Sequence, residues 1–346
     1  MRLAAPAPPE ERGLARDGVR LLVAGPAGLT HARFADLPRF LSTGDLLVIN
    51  TSATIAAAVD GRRGDGRPVA VHVSAQLDDG SWLAELREPA PGSGRVADAG
   101  AGERITLPAG VTLTLARRYP DPGGTRMWVT AVALEGSFLA FLARHGRPIR
   151  YSYVPRPWPL AAYQTVFARV PGSAEMPSAA RPFTPDLVTE LVAAGVVIAP
   201  ITLHAGVASL EAGEPPLPER FTVPAATAQL ASLTRAAGRR VVAVGTSSTR
   251  ALESAAGPDG SVRAATGWTS LVLGPARPAR VVTGLVTGWH DAQASHLALL
   301  EAVAGADLVH AAYRQAESAG YLWHEFGDSC LLLPDAANAK RNEACI

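Results

Sequence analysis

The chain has 346 residues, 48% of them hydrophobic and 18% charged, with 32 basic against 31 acidic side chains and a formal net charge of +1. That length exceeds one ordinary core and points to two domains of a soluble globular protein. The charge balance excludes broad, nonspecific nucleic-acid binding but leaves room for a local basic patch. Almost every cation is arginine, and the single lysine is Lys340. Cys330 and Cys345 form neither a disulfide framework nor a metal pattern, so a reduced, cytoplasmic protein is expected. The N-terminal "MRLAAPAPPEERG" lacks the apolar run of a signal peptide, and no stretch is long enough to span a bilayer. A monomer is expected, and the final "DAANAKRNEACI" reads as a frayed tail.

In chain order, "LPRFLSTGDLLVIN" predicts a short helix or turn followed by a buried strand, Leu46 to Ile49. Residues 58–149 carry short β-rich runs around "DDG", "PAG" and "DPGG", which predict hairpins and a small all-β, barrel-like unit. "GSFLAFLARHG" predicts a helix leading out of it. The stretch Tyr163–Leu187, "YQTVFARVPGSAEMPSAARPFTPDL", starts like a strand and ends at a helix start, with a polar, proline-rich middle; such a loop can cover a pocket. From there strands and helices alternate. "DLVTELVAAGV" is a helix, Asp186 to Ala194, and "VVIAPITLH" a strand. "AATAQLASLTRAAG" is a helix, and "RRVVAVGTSSTR" a strand running into a loop, with "STRALESAA" opening the next helix. "ARVVTGLVTGWH" is a strand, "ASHLALLEAVAG" and "DLVHAAYRQAESAG" are helices, and "DSCLLL" is a last strand. This alternation predicts a mainly parallel, barrel-like α/β domain made of residues 1–57 and 150–346, with the β-rich 58–149 inserted into it.

Apolar strands in this domain end on hydrogen-bonding side chains: Asn50-Thr51-Ser52, His204, Gly245-Thr246-Ser247-Ser248-Thr249-Arg250 and His290-Asp291. In α/β folds sites form where the carboxyl ends of strands converge, so these tips predict a shared, nucleoside-sized pocket. "VGTSSTR" offers helix-start N–H groups, hydroxyls and the Arg250 fork as a seat for an anion; ordinary N-capping by Ser247 or Ser248 is the plainer alternative. The spacing is not that of a Walker A loop, and neither an HExxH nor a cysteine pair marks a metal site. In "HEFGDSCLLL", Glu325 and Asp328 flank a turn glycine; Asp328 either accepts a cationic group or caps the turn. Trp289, Trp323 and Phe326 are core residues or an apolar wall near a sulfonium or a base.

Together "LPRFLSTGDLLVINTSAT", "YQTVFA", "PSAARPFT", "GVVIAPITLHAGVASL", "VVAVGTSSTRALE", "TGLVTGWH", "LLEAVAGADLVHAAYRQA" and "YLWHEFGDSCLLL" resemble the QueA family, the S-adenosylmethionine:tRNA ribosyltransferase-isomerases of queuosine biosynthesis. The resemblance covers most of the chain in the family's order. It implies a metal-free, cofactor-free transferase that uses S-adenosylmethionine as co-substrate. The ribosyl unit would pass to the aminomethyl group of a 7-deazaguanine base in tRNA and isomerise to an epoxycyclopentanediol, with adenine and methionine leaving. Such chemistry exploits the acidic carbon beside the sulfonium and needs a positioned base in a water-poor pocket.

Three places depart from the family pattern. "NTRV" is replaced by Asn50-Thr51-Ser52-Ala53, which removes an arginine. "PTAGLHFT" is replaced by "PSAARPFT", placing Ala180, Arg181 and Pro182 at its Gly-Leu-His. In "GWHDAQASHL" His290 stays, while Gly288 and Gln293 stand for Asn and Lys. The lost cations favour a second reading, a paralogue with another acceptor; a noncatalytic binder of S-adenosylmethionine or a nucleoside is a third. The expected catalytic set is His204 or His290 as base or proton shuttle, with Glu175 or Asp328 facing the sulfonium or acceptor amine. Substrate contacts are expected from Asn50, Thr51, Tyr163, Gln164, Ser178, Arg181, Thr202, Gly245, Thr246, Ser247, Ser248, Arg250 and Trp289.

Overall fold

A computed structural model describes residues 3–90, 93–120, 124–207, 217–290 and 295–335. The frayed-tail expectation for residues 336–346, and Asp291 and Gln293, lie outside the described residues. The strands, in order, begin with β1 (Leu3–Ala4), β2 (Arg20–Gly25), β3 (Gly28–Arg33), β4 (Leu46–Asn50) and β5 (Ser52–Thr54). Next come β6 (Ala58–Arg62), β7 (Pro68–Gln76), β8 (Trp82–Arg87), β9 (Arg104–Thr106), β10 (Thr112–Tyr119) and β11 (Met127–Ala133), and then helix α1 (Phe138–His145). The remainder is β12 (Val170–Ser173), α2 (Pro185–Ala193), β13 (Val197–Leu203), β14 (Glu219–Val223), α3 (Ala225–Ala236), β15 (Val241–Val244), α4 (Gly245–Ser254), β16 (Ala265–Thr269), β17 (Gly284–Gly288), α5 (Ser295–Ala304), α6 (Ala306–Ser318), β18 (Leu322–Trp323) and β19 (Ser329–Leu332).

The main sheet has nine strands in the order β16-β14-β13-β4-β15-β17-β19-β2-β3. Its centre, β13, β4, β15 and β17, is parallel. β19 returns antiparallel to β17 and parallel to β2, and both flanks are antiparallel. The centre is buried on both faces, which is why β4 and β15 read as continuous apolar runs. Side chains still alternate. Leu46, Val48, Val241, Ala243 and Leu285 join one core with α3 to α6. Leu47, Ile49, Val242, Val244 and Val286 join another with α2, Phe34 and Phe183. The result is a three-layer α/β/α unit.

Strands β6 to β11 form a closed antiparallel barrel, β10-β11-β8-β7-β6-β9, filled by side chains such as Val71, Val73, Ile105, Leu113 and Leu115. Bulges at Val73/Ala75 and Leu115/Arg117 bend its walls. The barrel meets the sheet where the Val207 N–H donates to Ser74 Oγ at 3.0 Å.

Four local differences from the sequence reading have physical causes. Closure belongs to the small β unit, while the main sheet is mixed, with parallel pairing confined to its centre. The hairpin β2–β3 was not anticipated, because β3 is a largely exposed, polar edge strand. Tyr163 ends a 3₁₀ turn, Leu160–Tyr163, and the strand forms later, at Val170–Ser173. Helix α4 starts at Gly245 with no intervening loop; φ there is +86°, the left-handed value that lets a strand turn at once into a helix.

Candidate active site

Because β13, β4, β15 and β17 are parallel neighbours, their carboxyl ends lie side by side on one edge of the sheet. That edge carries His204, Asn50-Thr51, Gly245-Thr246-Ser247 and Gly288 to His290. The antiparallel β19 adds residues 324–329 to it, and β2 adds Arg20. A recess opens there, lined among others by Ser178, Arg181, Gly288, Glu325, Asp328 and Ser329.

At the β4/β13 end the side chains are tightly organised. Asn50, fully buried, donates from Nδ2 to Leu203 O (2.8 Å) and Ser247 Oγ (3.2 Å), and its Oδ1 accepts from the Ser52 and Leu203 N–H groups. Thr51 and Thr202 share a hydroxyl bond of 2.8 Å, and Thr51 also donates to Ile201 O. Gln164 clamps the backbone of Thr54 through both amide atoms, while Thr54 Oγ1 donates to Tyr163 O.

His204 is partly buried. Its Nδ1 lies 2.7 Å from Ser52 Oγ, which lies 2.6 Å from Ser173 Oγ; the latter accepts from the Ala205 N–H. Every hydroxyl proton finds an acceptor only if Ser173 donates to Ser52 and Ser52 to Nδ1. That accounting puts the ring proton on Nε2, which has no partner among the described residues. Loss of hydration, then the Arg220 charge, holds the His204 pKa below its ordinary value, so the ring is neutral at pH 7. The ring packs against Gly172: a Cβ there would lie 2.5 Å from Nδ1 and 2.6 Å from Cε1. Gly172→Ala is therefore expected to displace the imidazole and lower turnover at least about tenfold, with thermal stability little changed. Unaltered turnover would show that the ring's placement is immaterial.

His290 stacks on His296 with centroids 4.4 Å apart, and its Nε2 lies 3.2 Å from Thr287 Oγ1. Burial, with His296 and His324 adding, pushes its pKa well below the ordinary value. Glu175 accepts a short hydrogen bond from the Tyr151 hydroxyl. Ser178, half-buried, lines the recess.

Several residues expected at the substrate have other work. Asp328 is 4% exposed; its carboxylate accepts from Arg20 (N, Nε and Nη2, 2.7–3.0 Å) and from Leu322 N (2.8 Å). Asp328 nevertheless lines the recess, as does Arg181. Arg250 is paired with Glu219, whose carboxylate also accepts from the Gly206 N–H just past His204, and it donates to Leu271 O and Thr269 O. Arg181 is spent on Glu10 and Ala162 O beneath the Phe326 ring. Trp289 is core, edge-on to Tyr313 and Tyr321. Neither Ser247 nor Ser248 caps a helix, because both sit inside the first turn of α4; Ser248 Oγ is buried without a partner.

Glu325 carries more than its sequence context suggested. It lines the recess, its Oε2 is sealed from solvent, and that oxygen has no hydrogen-bond partner. Burial, with the neighbouring Glu175 charge adding, pushes its pKa up to about 8. Tyr153 stacks on His324 with centroids 4.1 Å apart. A charged residue beside a turn glycine normally reads as solvated; the tyrosines that bury it lie some 160–175 positions earlier, so no local signal existed. Among the described residues no group of three or more His, Cys, Asp or Glu could hold a metal ion, and no helix is long and apolar enough to cross a membrane.

An α/β sheet with polar strand ends gathered on one edge, carrying an inserted barrel, is the architecture of an enzyme that works at its strand ends. Its chain belongs to the queuosine biosynthesis protein family, whose model matches residues 1–332. It is 36% identical over 338 residues to an S-adenosylmethionine:tRNA ribosyltransferase-isomerase of Novosphingobium aromaticivorans, covering 92% of this chain and 94% of the relative. A protein of the same name from Gluconacetobacter diazotrophicus is 37% identical over 331 residues, covering 92% and 90%. The crystal structure of S-adenosylmethionine tRNA ribosyltransferase from Thermotoga maritima superposes with a TM-score of 0.52 at 28% identity, covering 96% of each chain.

Proposed function

We infer that the chain transfers the ribosyl unit of S-adenosylmethionine to a 7-aminomethyl-7-deazaguanine base in tRNA and isomerises it to the epoxycyclopentanediol of epoxyqueuosine. The observation that carries this reading is the side-by-side placing of four parallel strand ends and the β19 loop on one edge of the sheet, in a chain of this family, with a recess there bordered by the β17 end, the β19 loop and Ser178, Arg181 and Pro182. Tyr163–Leu187 serves as a wall of that recess: it runs from the Gln164 clamp, past Ser173 beside His204, to Ser178.

The roles follow the geometry. We assign His204 the role of proton shuttle, supported by an Nε2 edge with no partner among the described residues and a serine chain behind Nδ1; a proton gained at one ring nitrogen can be matched by one released at the other. The first-turn amides of α4, with the half-buried Thr246 and Ser247, seat the methionine carboxylate or the ribose hydroxyls, since such amides have no intrahelical partner. Asn50, Thr51, Thr202 and Gln164 hold the strand tips in place. Glu175 faces the cationic part of the substrate.

The arginines lining the recess, Arg16 and Arg181, are both paired with Glu10, so RNA phosphates need another contact. A second recess beside the barrel is lined by His72, Arg87, Glu88, Arg147 and Arg150, with Arg147 on its exposed rim also paired to Asp60. Arg150 donates only to the Val154 and Pro155 carbonyls. We place a phosphate contact there. Changing Arg147 and Arg150 to Ala is expected to weaken tRNA binding and reduce its salt slope by about one to two phosphate equivalents; an unchanged slope removes this contact.

The test of the whole reading is incubation with S-adenosylmethionine, with and without tRNA carrying the aminomethyl deazaguanine. Adenine release only with that tRNA is expected. Release with a different acceptor would favour the paralogue reading, and tight binding with no turnover would favour a binder.

A further inference from the structure

We propose that Glu325 is a catalytic acid, delivering the proton that the departing adenine takes up. This rests on the ribosyl-transfer reading above. Glu325 is one of the residues lining the recess at the strand ends. Its Oε2 is cut off from water and has no partner among the described residues, an arrangement that is costly for a carboxylate and suits a neutral acid awaiting an acceptor. His324, which also lines the recess, stacks on Tyr153 with centroids 4.1 Å apart and brings an aromatic ring to the site, while Phe326 and Tyr163 are buried behind it.

The groups around Glu325 explain why it holds its proton. From the 151–175 side come the hydroxyls of Tyr151, Tyr153 and Tyr163 and the carboxylate of Glu175, the last fixed by Tyr151. His324 is adjacent in the chain. Arg181 and Arg16 at the same recess are committed to Glu10, and Asp328 to Arg20. Like charge from Glu175 and loss of hydration both favour the acid form, and the value of about 8 lies where an acid is still protonated at neutral pH yet able to give its proton up.

The step balances. The C1′–N9 bond breaks with its electron pair on the purine, and a lone pair of the ring oxygen fills C1′. The O–H bond of Glu325 breaks with its pair left on the carboxylate, and the proton goes to a purine nitrogen. Glu325 recovers a proton from solvent once adenine has left.

Adenine itself, the product, is the probe. Its binding is measured by calorimetry from about pH 6.5 to about pH 9 with the full chain, Glu325→Gln and Glu325→Asp, each checked by thermal melting. Wild-type affinity is expected to fall about tenfold above about pH 8, as the acid donor becomes a carboxylate. The fall should vanish in Glu325→Gln and persist, shifted, in Glu325→Asp. Wild-type affinity independent of pH, the same fall in Glu325→Gln, or no adenine binding at all would overturn the proposal. Adenine binding with the expected fall, in a protein that releases no adenine from S-adenosylmethionine with the modified tRNA, would uphold the purine-facing acid and sink the ribosyl-transfer reading instead.

Discussion

A His204→Ala protein is expected to bind S-adenosylmethionine about as well as the wild type and to release adenine about 10²–10⁴ times more slowly, the range typical of losing a positioned acid–base group. The ring is held by Ser52 through Nδ1 and by the flat face of Gly172, and no group among the described residues uses its Nε2. Alanine therefore removes a proton-carrying edge without breaking the sheet, whose ladder at this point depends on the backbone bond from His204 N to Arg220 O. Ser52→Ala should cost less: the ring stays, but its tautomer is no longer fixed. The pH dependence has a definite sign. The pKa of His204 is depressed in the folded protein by burial and then the Arg220 charge, so the rate should fall at a lower pH than an ordinary histidine would give. Turnover in His204→Ala within about threefold of wild type would remove His204 from the chemistry and leave the buried His290 as the candidate.

The second large effect is on stability. Glu253 lies in α4, and its carboxylate, almost fully buried, collects the backbone N–H groups of residues 280–282. Oε1 accepts from Arg280, Val281 and Val282 at 2.8–3.0 Å, and Oε2 accepts from Arg280 at 2.9 Å, with Arg277 at 3.4 Å completing the charge balance. Glu253→Ala strands those N–H groups in the interior. At about 1–3 kcal/mol for each unsatisfied donor, reduced by relaxation, a loss of about 3–5 kcal/mol is expected. For a chain of this length, at about 2.1 cal/mol/K per residue, that lowers Tm by roughly 4–7 °C. A fall of less than about 2 °C would mean that solvent or a rearranged backbone replaces the carboxylate. Glu253→Gln should recover only part of the loss, because its amide nitrogen meets the donors with a donor. The same segment leads into β17 and so sets where Gly288 and His290 arrive at the edge.

The sequence made the central strands legible because burial on both faces leaves nothing polar in "LLVI" or "VVAV", and α2, α3 and α6 because their apolar positions recur at helical spacing. Polar tips after apolar strands located the functional edge. Partnership was not legible. Asp328, Arg181 and Arg250 look like substrate ligands in a linear reading; each is claimed by a side chain far away in sequence, Arg20, Glu10 and Glu219. Glu325 shows the converse, since only tertiary packing against Tyr151, Tyr153 and Tyr163 converts a turn carboxylate into a held acid. The β2–β3 hairpin escaped because an exposed edge strand has no apolar alternation strong enough to stand out.

The insertion of β19 between β17 and β2 has a bearing on biogenesis. As the polypeptide emerges from the ribosome, β17 and β2 each keep a bare flank until residues 329–332 appear, so a nascent chain that stops short of them still offers two sticky ladders. The same span brings residues 324–328 to the recess. Closing the sheet and completing the lining of that recess are therefore one event, and the open ladders are exposed to the cell's chaperones until it happens.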